Sequence, residues 1–380
     1  MLVGVADATI LPFMPLLLHE RGFGSADIGL LLAGMALAGF ATGPLWGYAA
    51  DLRVGSEVVL AATCAAAGCV SVLVFFARDR TLLAVAAVAL GACRSSSASL
   101  ADAIALDRLG EERRAEYGRV RLWTSIGWAA AVLVWGAIVE ASAYGTAALL
   151  YPAALLGVVG WTLFGLGGRS AVVVRRAERA PLRHVVRPLV VFLAALFFAQ
   201  TAFAAGFNFS SLRIAGLGGS ALLVALAASL QAWAEVPAMA WMTRLRGVVA
   251  ARHFYVAGCG VYAAVLVFWA VATSPVSVAV ARLVLGVGFA LTYVGSVVVV
   301  DELVPSRLRA TGQVAAKSVT FGLAPVAGAL GGGLVYGHVS PRAMFLAAGV
   351  FAVLAALVAA QASPASRPAT YHSSSGSKMS

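Results

Sequence analysis

The chain has 380 residues, 61% of them hydrophobic and only 11% charged, where ordinary soluble domains are about 25% charged. That composition excludes a string of soluble domains, and the absence of any basic module interleaved with aromatics excludes nucleic acid as a partner for the formal charge of +11. What remains is a membrane class, because the hydrocarbon core of a bilayer asks for about 20 apolar residues per helix and the sequence supplies such runs repeatedly.

Twelve spans are predicted in chain order. In the first half they are Leu2–Leu18, Ile28–Ala50, Val58–Ala77, Thr81–Leu106, Leu122–Val139 and Thr146–Leu166. In the second half they are Leu189–Phe207, Ala221–Met242, Phe254–Ala272, Val276–Val300, Gly312–Tyr336 and Ala343–Ala360. Lipid forces backbone groups to pair within their own segment, so each span is read as a helix, and the alternation of barrel strands is missing. This gives an all-α membrane protein of twelve transmembrane helices. Its six-helix halves are residues 1–167 and 189–361, joined by a basic linker, 168–188, and followed by a Ser-rich polar tail, 362–380, expected to be disordered. No basic leader precedes Leu2, so no cleavable signal is read. The first span is slightly short, and the true start is expected upstream.

The charges orient the bundle. Of the 27 Lys and Arg, nineteen fall on the side of both termini, five on the other side (Arg21, Arg78, Arg80, Arg213 and Arg342) and three inside spans (Arg94, Arg282 and Lys317). Basic loops stay cytoplasmic, which places both termini inside and the protein in the cytoplasmic (inner) membrane. The positive charge is then a matter of topology and of attraction to anionic lipid. The four cysteines, Cys64, Cys69, Cys93 and Cys259, lie in apolar spans without a C-x-x-C pair, and the histidines are scattered, so no disulfide framework or metal site is read.

An internal repeat organises the chain. LDRLGEERRAEYGR at Leu106–Arg119 aligns with VDELVPSRLRATGQ at Val300–Gln313 at an offset of 194, matching Asp107 with Asp301, Leu109 with Leu303, Arg113 with Arg307 and Gly118 with Gly312. RGFGS at Arg21–Ser25 faces AGLGG at Ala215–Gly219, pairing Gly22 with Gly216 and Gly24 with Gly218. At offset 193, Pro44 pairs with Pro237 and Arg53 with Arg246. The stretch GPLWGYAADLRVG at Gly43–Gly55 resembles the signature of the major facilitator superfamily between helices 2 and 3, with Gly47, Asp51 and Arg53 in place and Ser56 and Glu57 where a second arginine pair is usual. YGRVRLWTSIGW, SLADAIALDRLG, AEVP at Ala234–Pro237 and LVPSRLRATGQ resemble, in order, its phenylpropionate permease-like and nucleoside– or sugar–proton symporter-like branch, although Thr124 stands where that branch has Gly. The resemblance covers roughly residues 1–360. It implies two parallel six-helix halves, a solute site between them near mid-membrane, and a path lined by helices 1, 4, 7 and 10.

Ionisable groups inside spans are costly and are functional candidates by default. They are Asp7 in helix 1, Arg94 and Asp102 in helix 4, Glu235 in helix 8, Arg282 in helix 10 and Lys317 in helix 11. Asp102 lies eight residues beyond Arg94, about 12 Å along a regular helix and on about the same face, so one aqueous cavity is expected to hold both. Arg94 needs an anionic partner: Asp7, Glu235 or an anionic solute held in a bidentate way. Asp7 and Glu235 are the candidate proton carriers, since a low-dielectric cavity favours the protonated carboxyl, and Asp102 is the alternative gate residue. Lys317 is expected to snorkel. Arg282 either snorkels or lines the path. Gln200, Asn208, Gln231 and Tyr293 either hydrogen-bond the solute or bridge helices. RSSSAS at Arg94–Ser99 reads as a close helix approach or a polar cavity wall. Trp123 reads as an interfacial anchor, with Trp128 and Trp135 packing or facing lipid.

The charged clusters at the helix ends form the expected cytoplasmic gate. It comprises Gly47, Asp51 and Arg53, then Asp107, Arg113, Gly118, Arg119 and Arg121, then Asp301, Arg307 and Gly312. Exposed pairs are worth only about 0–1 kcal/mol each, which suits two states separated by a few kcal/mol. The expectation is a monomeric secondary transporter in the lipid bilayer. It takes up a small organic solute (aromatic acid, nucleoside or sugar-like) with protons, and needs no cofactor beyond the proton gradient. Efflux by proton antiport is the alternative, and a non-transporting membrane sensor is the alternative of another class. No catalytic His–Asp or Cys–His constellation gathers at one face, so an enzyme is not expected.

Overall fold

A computed structural model describes residues 1–109, 117–142, 149–166, 186–245, 248–304 and 309–361. All regular secondary structure among them is helical. The helices are α1 (Leu2–Glu20), α2 (Ser25–Ala49), α3 (Ser56–Phe76), α4 (Arg80–Leu109), α5 (Tyr117–Ser142), α6 (Leu150–Gly165), α7 (Val186–Gly216), α8 (Ala221–Leu245), α9 (Ala251–Val271), α10 (Pro275–Leu303), α11 (Gly312–His338) and α12 (Pro341–Gln361). Eleven are long and apolar enough to cross a membrane, and α6 is a shorter apolar helix. The predicted start of the sixth span at Thr146 lies outside the described residues, as do the tail and most of the linker.

Several helices are interrupted, each for a local reason. α1 breaks at residues 11–13, and Pro15 opens the second segment, Met14–Glu20. A missing N–H costs nothing in a first turn. α4 breaks between Arg94 and Ser97. The carbonyl of Ala92, just before the break, accepts from Thr42 Oγ1 at 3.0 Å, Trp46 Nε1 at 2.9 Å and Ser95 Oγ at 3.1 Å. Side-chain donors thus replace lost ladder bonds where no water would do so. The run of serines makes the expected close helix approach at Ser95, where a Cβ on Gly39 of α2 would lie 3.1 Å from the Ser95 Cβ, and it also spans the interruption of α4. α8 stays helical through Pro237.

We call the end where α1 starts and α4 finishes the lower end, and the opposite one the upper end. The halves meet along α2–α11 and α5–α8. Both seams close tightest toward the upper end, through residues with almost no side chain. A Cβ on Gly29 would lie 2.6 Å from the Cα of Gly333, and one on Gly337 would lie 2.9 Å from the Ala26 nitrogen. On the other seam Gly136 receives the Ala225 methyl. There the Leu222 N–H also donates to the Glu140 carboxylate at 3.2 Å, and Ser229 Oγ donates to the Ala129 carbonyl at 2.9 Å.

The repeat reappears in three dimensions. Arg21, at the upper end of α1, donates to the Ala77 carbonyl at 2.7 Å and to that of Phe75. Arg213, at the upper end of α7, donates to the Ala272 carbonyl at 2.7 Å. Each arginine therefore closes the C-terminus of the helix two further on, where orphan carbonyls need donors. The turn after each of these helices corrects the predicted pairing: Gly22 (φ 79°) corresponds to Gly218 (φ 85°), not to Gly216. Gly216 is still helical, so only Gly218 occupies the left-handed position that favours glycine.

Candidate functional site

Between the halves lies a cavity of about 960 Å³. Its wall includes Met1, Leu109, Val120 and Leu166, the lower ends of α1, α4, α5 and α6, so it runs to the lower end. The upper end is shut by the glycine seams. The break in α4 decides which polar groups face this space. Below it, Asp102 lines the cavity with Ala98 and Ala101. Above it, Arg94 turns away from the lining and meets Asp7, with Nη2 2.8 Å from Oδ1 and Tyr151 beside the guanidinium. The expectation of one face shared by Arg94 and Asp102 is thereby corrected, since it assumed a continuous helix. Asp7 itself lines the cavity.

The opposite wall belongs to α7, α8 and α10. Glu235 and Gln231 face the cavity one turn apart on α8, and Gln231 Nε2 donates to Glu235 Oε1 at 3.2 Å. Behind them Arg282 is 1% exposed. Its Nε and Nη2 both donate to Gln231 Oε1, at 3.1 and 2.8 Å, and Nη1 donates to Ser210 Oγ at 3.0 Å. The guanidinium also lies 4.8 Å from the Phe207 ring centroid. Arg282 therefore neither snorkels nor lines the path. Its charge is bound inside the second half.

Of the other predicted path residues, Gln200 is buried and outside the cavity lining, with Nε2 unpartnered. Asn208 is half-buried and also outside it. Tyr293 stands one layer back, stacked 5.5 Å from Phe289 and edge-on to Phe321. Lys317 is exposed. Sequence reasoning missed the apolar wall: Phe203, Phe207, Phe289, Phe321, Trp161 and Trp128 all face the cavity. Trp128 packs against the core as expected and lines the cavity as well. Trp135 packs as expected, its Nε1 donating to the Val5 carbonyl at 3.5 Å, and Trp123 is exposed.

The described ones among the predicted gate residues lie at the lower end. Asp51 sits exposed in a π-helical turn, Ala50–Val54, that ends α2. Gly47 borders open space, Asp107 is exposed and Asp301 half-buried. Gly312 lets α11 lie against Val300 and Val304 of the α10 end. Arg113 and Arg307, and the side chains of Arg53, Arg119 and Arg121, lie outside the described residues, and of Gly118 only the helical backbone is described. A lower-end ion pair not foreseen joins Glu57 of α3 to Arg108 of α4 at 3.3 Å. It lies within one half and does not bridge the two.

The family described as MFS_1 like family matches residues 6–347. The maltose permease of Geobacillus stearothermophilus is 29% identical over 251 residues, or 65% of this chain, and the match spans 63% of that permease's length. Among solved structures, a variant of the nucleoside transporter NupG superposes with a TM-score of 0.84 at 15% identity, covering 95% of this chain and 97% of that one. The POT family transporter PepTSo does so with a TM-score of 0.74 at 11% identity, covering 95% and 96%.

Proposed function

This chain belongs to the MFS_1 like family, and from that premise we propose that it is a secondary transporter for an uncharged, hydroxyl-rich ring solute of sugar or nucleoside type, taken up with a proton. The observation that carries this is the chemistry of the cavity wall. Carboxylates and an amide (Asp7, Asp102, Glu235, Gln231) face a wall of aromatic rings, in a space shut at one end and reaching the other. Carboxylates accept from hydroxyls, and aromatic rings pack against the apolar face of a sugar or base. The organic anion considered from the sequence loses its main support, because Arg94 is committed to Asp7. The names of the relatives, a maltose permease and a nucleoside transporter, point to the same solute class.

Glu235, at the cavity wall and hydrogen-bonded by Gln231, is the proton carrier in this reading. Asp51, Asp107 and Asp301 at the lower end belong to the gate in this reading. The basic side is cytoplasmic, so the site faces inward in the inner membrane.

The test is uptake of labelled uridine and of maltose into proteoliposomes with an imposed pH gradient. Uptake of either that rises with inward proton flow, and that loses this dependence in Glu235→Gln, supports the reading. No uptake of both removes it. A second reading, export of hydrophobic cations against protons, draws on the same carboxylates and rings. It predicts that ethidium, and neither sugar nor nucleoside, moves outward.

A further inference from the structure

We propose that Arg282 is a positioning residue that fixes the orientation of the Gln231 side-chain amide, so that the solute site presents a permanent donor beside the Glu235 acceptor. The inference rests on the sugar- or nucleoside-type reading above and names how that site is kept in register.

The two halves each hold an arginine on a helix beside the cavity, and they treat it differently. In the first half Arg94 meets the carboxylate of Asp7 directly. In the second an amide stands between cation and carboxylate, and Arg282, Gln231 and Glu235 form a line from the interior of the half to the cavity. A guanidinium carries only donors. The end of the Gln231 amide that meets it must therefore be the oxygen, and Nε and Nη2 hold that oxygen at 3.1 and 2.8 Å. Turning the amide over would set its NH2 against two N–H groups, in a pocket where Gln231 is 6% and Arg282 1% exposed. Two charge-assisted bonds would be lost and three donors left facing one another.

The guanidinium itself cannot turn to follow, since Ser210 holds Nη1 and Phe207 covers its face. The NH2 of Gln231 is left pointing at Glu235 and the cavity. One hydrogen serves Glu235 and the second is available to a solute hydroxyl, which can in turn donate to the carboxylate. Without Arg282 the amide turns over at little cost and presents either end.

The experiment has an arm without solute and an arm with it. Selective 15N labelling of glutamine yields four side-chain amides, Gln200, Gln231, Gln313 and Gln361, and Gln231→Ala identifies the one that matters. Glu235→Gln is expected to shift the Gln231 amide signal in the otherwise native protein and to shift it markedly less once Arg282→Leu is present, because the NH2 then faces residue 235 only part of the time. Arg282→Gln replaces the leucine variant if that one does not fold. A Gln231 signal that responds to Glu235→Gln as strongly without the arginine overturns the proposal.

In uptake of uridine and maltose, Gln231→Ala and Arg282→Leu are each expected to raise KM about tenfold with kcat little changed, the size of one lost hydrogen bond. The double variant should be no worse than Gln231→Ala alone, and Arg282→Lys, which still donates to the oxygen, should recover most of the loss. A double variant about a hundredfold impaired shows that Arg282 acts independently of Gln231 and sinks the idea. If native protein takes up neither probe, the solute reading fails, while the labelling arm still decides whether Arg282 orients the amide.

Discussion

Asp7 and Arg94 need each other more than the bundle needs the pair. Their side chains are 17% and 22% exposed, so desolvation is only partly relieved by water. Removing one partner strands a charge, at a cost of about 3 kcal/mol for a pair of this kind, whereas removing both is close to neutral. Asp7→Ala is therefore expected to lower the melting temperature in detergent markedly, and Asp7→Ala with Arg94→Leu to restore most of it. A single variant as stable as the native protein would show that Arg94 is neutralised elsewhere. The sequence named both residues and admitted their pairing without deciding it, because the choice among Asp7, Glu235 and a solute depends on which helices touch. It undervalued Gln231 for a similar reason. An amide on a membrane helix bridges neighbours as often as it binds a ligand, and only the fork of Arg282 on its oxygen separates the two.

At the scale of helices, the seams between halves depend on the absence of side chains. Gly333 sits against Gly29 and the Ser25 carbonyl, which would be 2.8 Å from a Cβ there. A valine forces the upper ends of α2 and α11 apart, at about 1–3 kcal/mol of overpacking, enough to shift a two-state balance about fivefold or more. Gly333→Val is thus expected to lower labelling of a Ser125→Cys reporter in the cavity by a maleimide confined to the lower side, and to raise labelling from the upper side. Equal labelling with and without the valine would place the hinge elsewhere. Spans and repeat were legible because apolar length and a shared offset survive in one dimension. The break in α4 was not, since Ser95, Ser96 and Ser97 read alike as a small-residue contact, and the donors from Thr42 and Trp46 lie on another helix. Nor was the aromatic wall, because Phe203 or Trp128 facing a cavity has the same sequence as one facing lipid.

For the whole molecule, a cavity reaching the lower end and closed above would be, in the proposed transport, one half of an alternating cycle, and the gate proposed at the lower end belongs to the other. Asp51→Asn and Asp107→Asn are expected to abolish net uptake while leaving expression and solute binding within about threefold, because exposed gate pairs contribute little to stability. Unchanged uptake would remove them from the gate. The arginine caps act on a different event, the making of the protein. Arg21 finds its acceptor 56 residues later at Ala77 and Arg213 finds its own 59 residues later at Ala272. At a synthesis rate of about 5–20 residues per second, each acceptor follows its arginine by roughly 3–12 s. Each cap is therefore closed by three consecutive helices of a single half, and needs nothing from the other half in order to form.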